Sequence, residues 1–212
     1  MPETPQQYYA RAEAAAAAAG DGRLPVGEVA DWDVFPFERD GLRVKRLEPP
    51  LDVEPPRYGE AGRPCGACGG STPRTDGMAR VWQDEHWHLV VPEPSGSPLV
   101  LLLQPHAHLD LTELPDDLAA ELGLITVRLS AAIESLPQVA RAHVSRWGDG
   151  GAHAHVWFLA RPLGLAQLRG TMMAVWDDLL PPVPRPTRDA DAVTVVQQLV
   201  RTYGGTALAI RS

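Results

Sequence analysis

Leu118, Leu122, Ile125, Leu129 and Ile133 recur at threes and fours, which predicts one long helix with a core-facing stripe. Leu114-Pro115-Asp116-Asp117 opens it and it runs to about Ser135. Proline suits a first helical turn, and the acids favour the positive end of the helix dipole. Around this helix the period shortens to that of strands. Residues 79–92 read as two strands or one bent hairpin turning near Asp84-Glu85. Leu99 to Gln104 is a continuous apolar run, as expected of a buried strand. Arg141 to Trp147 reads as another strand, Gly148 to Gly151 as a tight turn, and His153 to Ala160 as a last strand closed by Arg161-Pro162. Strands in consecutive pairs about one long helix predict an α+β domain with an antiparallel sheet of about five strands.

The flanks differ. Residues 6–20 read as a helix ended by Gly20-Asp21-Gly22, and 21–64 as a proline- and glycine-rich irregular arm. Helices are expected over 165–180 and 189–203, joined by the stiff Pro181–Pro186 linker. The organisation that follows is an N-terminal helix and arm over 1–62, a sheet domain over 63–163 and a helical extension over 164–212.

A net charge of −8 with no basic cluster argues against duplex nucleic acid as a partner. No run approaches the roughly 18 apolar residues that cross a bilayer. The alanine run Ala14–Ala19 follows Glu13 and lacks a basic start, so it reads as helix and not as a signal peptide. Two cysteines in CxxC spacing, with no others to pair, suit a reducing compartment, with the cytoplasm the default.

The chemistry concentrates in three places: Cys65-Gly-Ala-Cys68, Pro105-His-Ala-His108, and Gly150-Gly-Ala-His153-Ala-His155-Val-Trp157. Thiolates and neutral imidazoles are the ligands zinc prefers. A redox CxxC normally precedes a helix, and none is expected after Cys68, which favours metal. On a strand, His153, His155 and Trp157 would share one face, with the two imidazoles about 7 Å apart. Spacing alone leaves two ligand sets open, one with His153 and one with both His153 and His155. His86 and His88 flank Trp87 in a second alternating segment and would also share a face.

CxxC, then Val81-Trp82-Gln83-Asp84-Glu85, an apolar strand leading to Pro105-His106-Ala107-His108, a helix, and HxH on a strand ending in Ala160-Arg161-Pro162 together resemble the histidine-triad superfamily over residues 63–163. That superfamily includes small nucleotide hydrolases and the galactose-1-phosphate uridylyltransferase branch. The resemblance implies a HIT-like fold and a structural zinc held by Cys65, Cys68, His108 and His153, with His106 the alternative to His108. It implies that His155 is the nucleophile toward the α-phosphorus of a nucleotide or nucleotide-linked small molecule. Gly150 and Gly151 would let backbone N–H groups approach phosphate oxygens, and Trp157 reads either as strand packing or as a pocket wall against a base or sugar. The chain departs from the family at Trp157, where the small hydrolases have histidine and the uridylyltransferases glutamine. Indole has one N–H donor and cannot shuttle a proton. Two functions follow: a nucleotidyl hydrolase or transferase, or a zinc-stabilised binding or scaffold protein with weak or no turnover. Relatives that dimerise leave a homodimer open.

Overall fold

The computed structural model describes residues 4–46, 48–68, 78–92 and 95–210. Two compact units divide the chain between Pro55 and Pro56. In the first, α1 (Pro5–Ala18) starts on a reciprocal cap. The Gln7 N–H donates to the Thr4 hydroxyl at 3.2 Å, and the Thr4 N–H to the Gln7 side chain at 2.9 Å. Beyond α1 the described residues of the first unit hold one 3₁₀ turn, Gly27–Asp31, and otherwise irregular chain.

The second unit is α+β. Its strands are β1 (Ala79–Gln83), β2 (Trp87–Val91), β3 (Val100–Pro105), β4 (Val139–Ser145), β5 (Val156–Pro162) and β6 (Thr206–Ala207). They form one antiparallel sheet in the order β4-β5-β3-β2-β1-β6. α2 (Asp116–Glu134) lies between β3 and β4 in sequence, and α3 (Met173–Leu179) and α4 (Arg185–Thr202) follow β5. Among the described residues, no helix is long and apolar enough to cross a membrane.

The alternation of side chains assigns each face. Trp87, Leu89 and Val91, Leu101 and Leu103, and Val156, Phe158 and Ala160 point to one side. There they pack with Ile125, Leu129 and Ile133 of α2 and with Ala192, Val195, Val196 and Leu199 of α4. Each fully buried large side chain contributes about 1.5–3 kcal/mol. α4 is therefore a wall of the main core. On the other side Val100 and Leu159 pack against Leu168 and Met173, with Trp157 at the margin.

Four differences from the sequence reading have local causes. The sheet has a sixth strand, where Gly205 passes so close to Trp82 that a Cβ there would sit 2.6 Å from the indole. The Trp82 Nε1–H donates to the Gly204 carbonyl at 3.0 Å, which fixes β6 against β1. Pro115 is the cap of α2 and stands outside its first turn, and Leu122 is half-buried while Ala132 takes a buried place. The expected helix over 165–180 shrinks to α3, because Gly170 holds φ +66 and the chain before it is turn. α4 begins within the expected linker, since Pro186 is tolerated in a first turn.

A fifth difference shapes the site. β5 begins at Val156, opposite Leu103, so His153 and His155 lie just ahead of the strand and not on it. Pro105, at the end of β3, has no N–H to continue the ladder. The Ala154 N–H donates to Leu109 O at 2.7 Å and the Ala152 N–H to Tyr58 O at 2.9 Å. Two loops hold this stretch in place of a strand.

Candidate metal centre

Four ligand atoms converge where those loops meet. The metal-ligating atoms of Cys65, Cys68, His108 and His153 all lie within 4.8 Å of one another. Cys68 Sγ is 3.2 Å from His108 Nδ1 and 3.3 Å from His153 Nδ1, and Cys65 Sγ is 3.6 Å from His153 Nδ1. A zinc tetrahedron with Zn–S near 2.3 Å and Zn–N near 2.0 Å has S···N edges of about 3.5 Å. The donor set and its spacing fit that ion.

The orientation of each ligand has a visible cause. The His153 Nε2–H donates to the Pro105 carbonyl at 2.8 Å, which leaves the Nδ1 lone pair aimed at the sulfurs. Burial pushes His153 below the ordinary imidazole value, so it is held in the neutral, ligating form. The Cys68 thiol is pushed up to about 11, first by desolvation and then by Cys65 beside it. A bound cation reverses that balance and makes both sulfurs thiolates. Gly59, at φ +93, lets the chain before Cys65 pass against the cluster, where a Cβ would sit 2.7 Å from the His108 ring.

His106 turns away, stacking on His88 with ring centroids 5.1 Å apart, its Nε2 3.2 Å from Asp84 O. His155 is outside the cluster too, so the set with two triad-segment histidines is not formed. Residues 69–77, where the absence of a helix after Cys68 would be checked, lie outside the described residues.

His155 is half-buried beside the cluster. Its Nδ1 lies 2.8 Å from the His153 carbonyl and its Nε2 2.7 Å from the Trp147 carbonyl. A neutral imidazole has one N–H and satisfies one of these oxygens; only the imidazolium donates to both. Trp157 stands edge-on to His155 at 6.4 Å, and Trp147 is 6.4 Å from Trp157. Gly150 and Gly151 face Tyr58: the Tyr58 N–H donates to Gly150 O at 3.2 Å, and Tyr58 bridges Gly151. A Cβ on Gly150 would meet nothing within 4 Å, so its lack of a side chain meets no steric need there.

His86 and His88 do not share a face. His86 lies in the turn, its Nδ1 3.0 Å from Glu121 of α2, which also accepts the Trp87 indole N–H at 3.0 Å. His88 is buried on the opposite face, with its Nδ1 unpartnered.

Sequence reasoning passed over a charged clamp behind the site. Arg57 pairs with Asp110 at 2.8 Å and with Glu60, and Arg146 pairs with the same Asp110. Desolvation works to raise Asp110, but the Leu111 amide and the guanidinium of Arg57 hold it below the ordinary carboxylate value. Glu60 first and Asp110 second raise Arg57. Separations of 36 and 53 residues leave no periodic signal from which these pairs could have been found.

No protein-family model matches this chain, and no curated protein does. Solved structures do resemble it. A histidine triad protein from Marinobacter aquaeolei VT8 is 18% identical over 60% of this chain and 92% of its own, with a TM-score of 0.49. A histidine triad protein from Bradyrhizobium japonicum is 18% identical over 60% and 91%, at 0.47. A Zn-bound histidine triad family protein from Mycobacterium smegmatis is 18% identical over 59% and 87%, at 0.43.

Proposed function

We propose that this chain is a zinc-stabilised nucleotidyl hydrolase or transferase of HIT-like type, working through His155. Cys65, Cys68, His108 and His153 hold the ion, which fixes the segment carrying the nucleophile. The observation that carries the reading is the 2.8 Å contact between His155 Nδ1 and the His153 carbonyl. A proton kept at Nδ1 leaves the Nε2 lone pair for attack. Residues 63–163 would form the working domain, and the paired thiols suit the cytoplasm.

In the step proposed, Nε2 bonds to the α-phosphorus while the bond to the leaving oxygen breaks, and that oxygen departs with the electron pair. Water, or an acceptor hydroxyl, then attacks phosphorus, gives up its proton to solvent and frees His155. Trp157 cannot shuttle a proton to the leaving group. The chain therefore suits leaving groups that depart without a general acid, such as phosphate esters and pyrophosphates, over amines.

Turnover of a nucleoside diphosphate sugar and of a nucleoside phosphoramidate, by the protein as purified and by His155→Asn, tests this. Release of nucleoside monophosphate from the first substrate, abolished in the variant, supports it. Faster cleavage of the phosphoramidate, or equal rates in the variant, overturns it. The second reading is a nucleotide-binding protein without turnover, favoured by Trp157 and by the Trp147 carbonyl in front of Nε2. Calorimetric binding with no product would establish that one.

A further inference from the structure

We infer that Arg57 and Asp110 are positioning residues that control access to His155 Nε2 by holding the Arg146–Gly151 loop across it. The inference rests on the reading above only in giving Nε2 a reaction to perform. The Trp147 carbonyl is 2.7 Å from Nε2, in the place a phosphorus would take for in-line attack at about 3–3.5 Å. With its proton on Nδ1, the ring presents a lone pair to that oxygen. In that tautomer two acceptors face each other, whereas with its proton on Nε2 the ring donates to the Trp147 carbonyl and adds one bond to the loop. In the attacking tautomer the loop depends on its other fastenings.

Arg57 donates to the Gly148 carbonyl at 3.0 Å, one residue past Trp147, while paired with Asp110. Arg146, the residue before Trp147, is paired with the same carboxylate. Tyr58 adds two backbone bonds, from its N–H to Gly150 O and from Ala152 N–H to its own carbonyl. One carboxylate thus grips both sides of the carbonyl that covers Nε2. The same stretch of chain, residues 57–68, passes Gly59 against His108 and then supplies Cys65 and Cys68. The strap that brings two metal ligands also keeps the loop closed. Replacing Arg57 or Asp110 removes the side-chain fastenings of the loop and alters none of the four ligand residues.

The test needs no substrate. Diethyl pyrocarbonate acylates accessible imidazole nitrogens, and peptide mass mapping reads each histidine separately. The zinc-containing full chain, Arg57→Gln and Asp110→Asn are treated in parallel, with metal content measured in each. Asparagine keeps the capping oxygen that accepts from Leu111, so Asp110→Asn perturbs the fold least. His155 is expected to react about tenfold faster in both variants, the order of one charge-assisted hydrogen bond. The half-buried His86 and the exposed His106 of the same chain should keep their rates. Equal His155 rates in all three proteins overturn the inference. So does a rise shared by all three histidines, which marks general loosening. Faster labelling of His155 alone in a protein that turns over no nucleotide keeps the positioning role and discards the enzyme reading. Turnover with unchanged labelling does the reverse.

Discussion

The sheet and the cysteine–histidine cluster sit side by side and are built by opposite means. The sheet is specified by repetition: residues two apart on β2, β3 and β5 bury the same face against α2 and α4, and many contacts share the load. The cluster is specified by four side chains on three loops, met by single hydrogen bonds such as His153 Nε2–H to Pro105 O. A region of the first kind tolerates a loop shift of an ångström. In the second kind, one missing ligand leaves the donor set incomplete.

The sharpest way to separate the two is to damage each alone. Phe158 is fully buried where β5 crosses the middle of the core. Phe158→Ala should cost about 3–5 kcal/mol of unfolding free energy. Denaturant titration checks this, and the folded fraction should keep its metal. A loss under 1 kcal/mol would mean the sheet does not carry the stability assigned to it.

Cys68 is the converse case, since its sulfur touches both ligating imidazoles. Altering a group that merely orients a ligand costs 10–100-fold in metal affinity. Cys68→Ser, which removes a ligand, should cost at least about a hundredfold, or about 2.7 kcal/mol. Competition with a chromophoric chelator measures it. The sheet should survive, with far-ultraviolet dichroism unchanged. Undiminished zinc in this variant would remove the cluster from the account.

The same contrast explains what could be read from the chain. α2 is legible because burial on one face imposes a period on consecutive residues, and β3 because burial on both faces leaves a short continuous apolar run. Cys65, Cys68, His108 and His153 were nameable because their residue types are rare and their chemistry is shared. β6 was missed because two residues carry no period. His153 and His155 were placed on a strand because HxH alternates, whereas what ends the ladder is Pro105, 48 residues earlier in the chain. The Arg57–Asp110–Arg146 clamp was invisible, since an ion pair between distant residues writes nothing local.

Two histidines close together in sequence carry the contrast into pH. His88 is buried, and burial pushes it down to about 4 from its ordinary 6.5. Between those values the unfolded chain binds a proton that the folded one refuses, so stability falls as pH drops from 6.5 toward 4. The loss should be on the order of 2–3 kcal/mol. His88→Phe should flatten it when unfolding is followed with a chelator present, so that protons competing for the cluster do not contribute. An unchanged slope would locate the acid sensitivity elsewhere.

His86 should behave with the opposite sign and a smaller size. Its ring is raised above 6.5, first by the hydrogen bond to Glu121. The folded chain holds that proton more tightly, so the pair's contribution is fully present below pH 6.5 and is lost as pH rises through the folded value. Solvent reaches both partners, which keeps the effect small. Glu121→Gln isolates it, because the amide oxygen can still accept the Trp87 indole N–H while the charge beside His86 is gone. In that variant the ring titration of His86, followed by nuclear magnetic resonance, should move down toward 6.5, and that of His88 should not move. A His88 shift of equal size would mean that the turn and β2 are electrostatically one region. The difference between a buried imidazole and a paired, half-buried one would then not be a property of their separate surroundings.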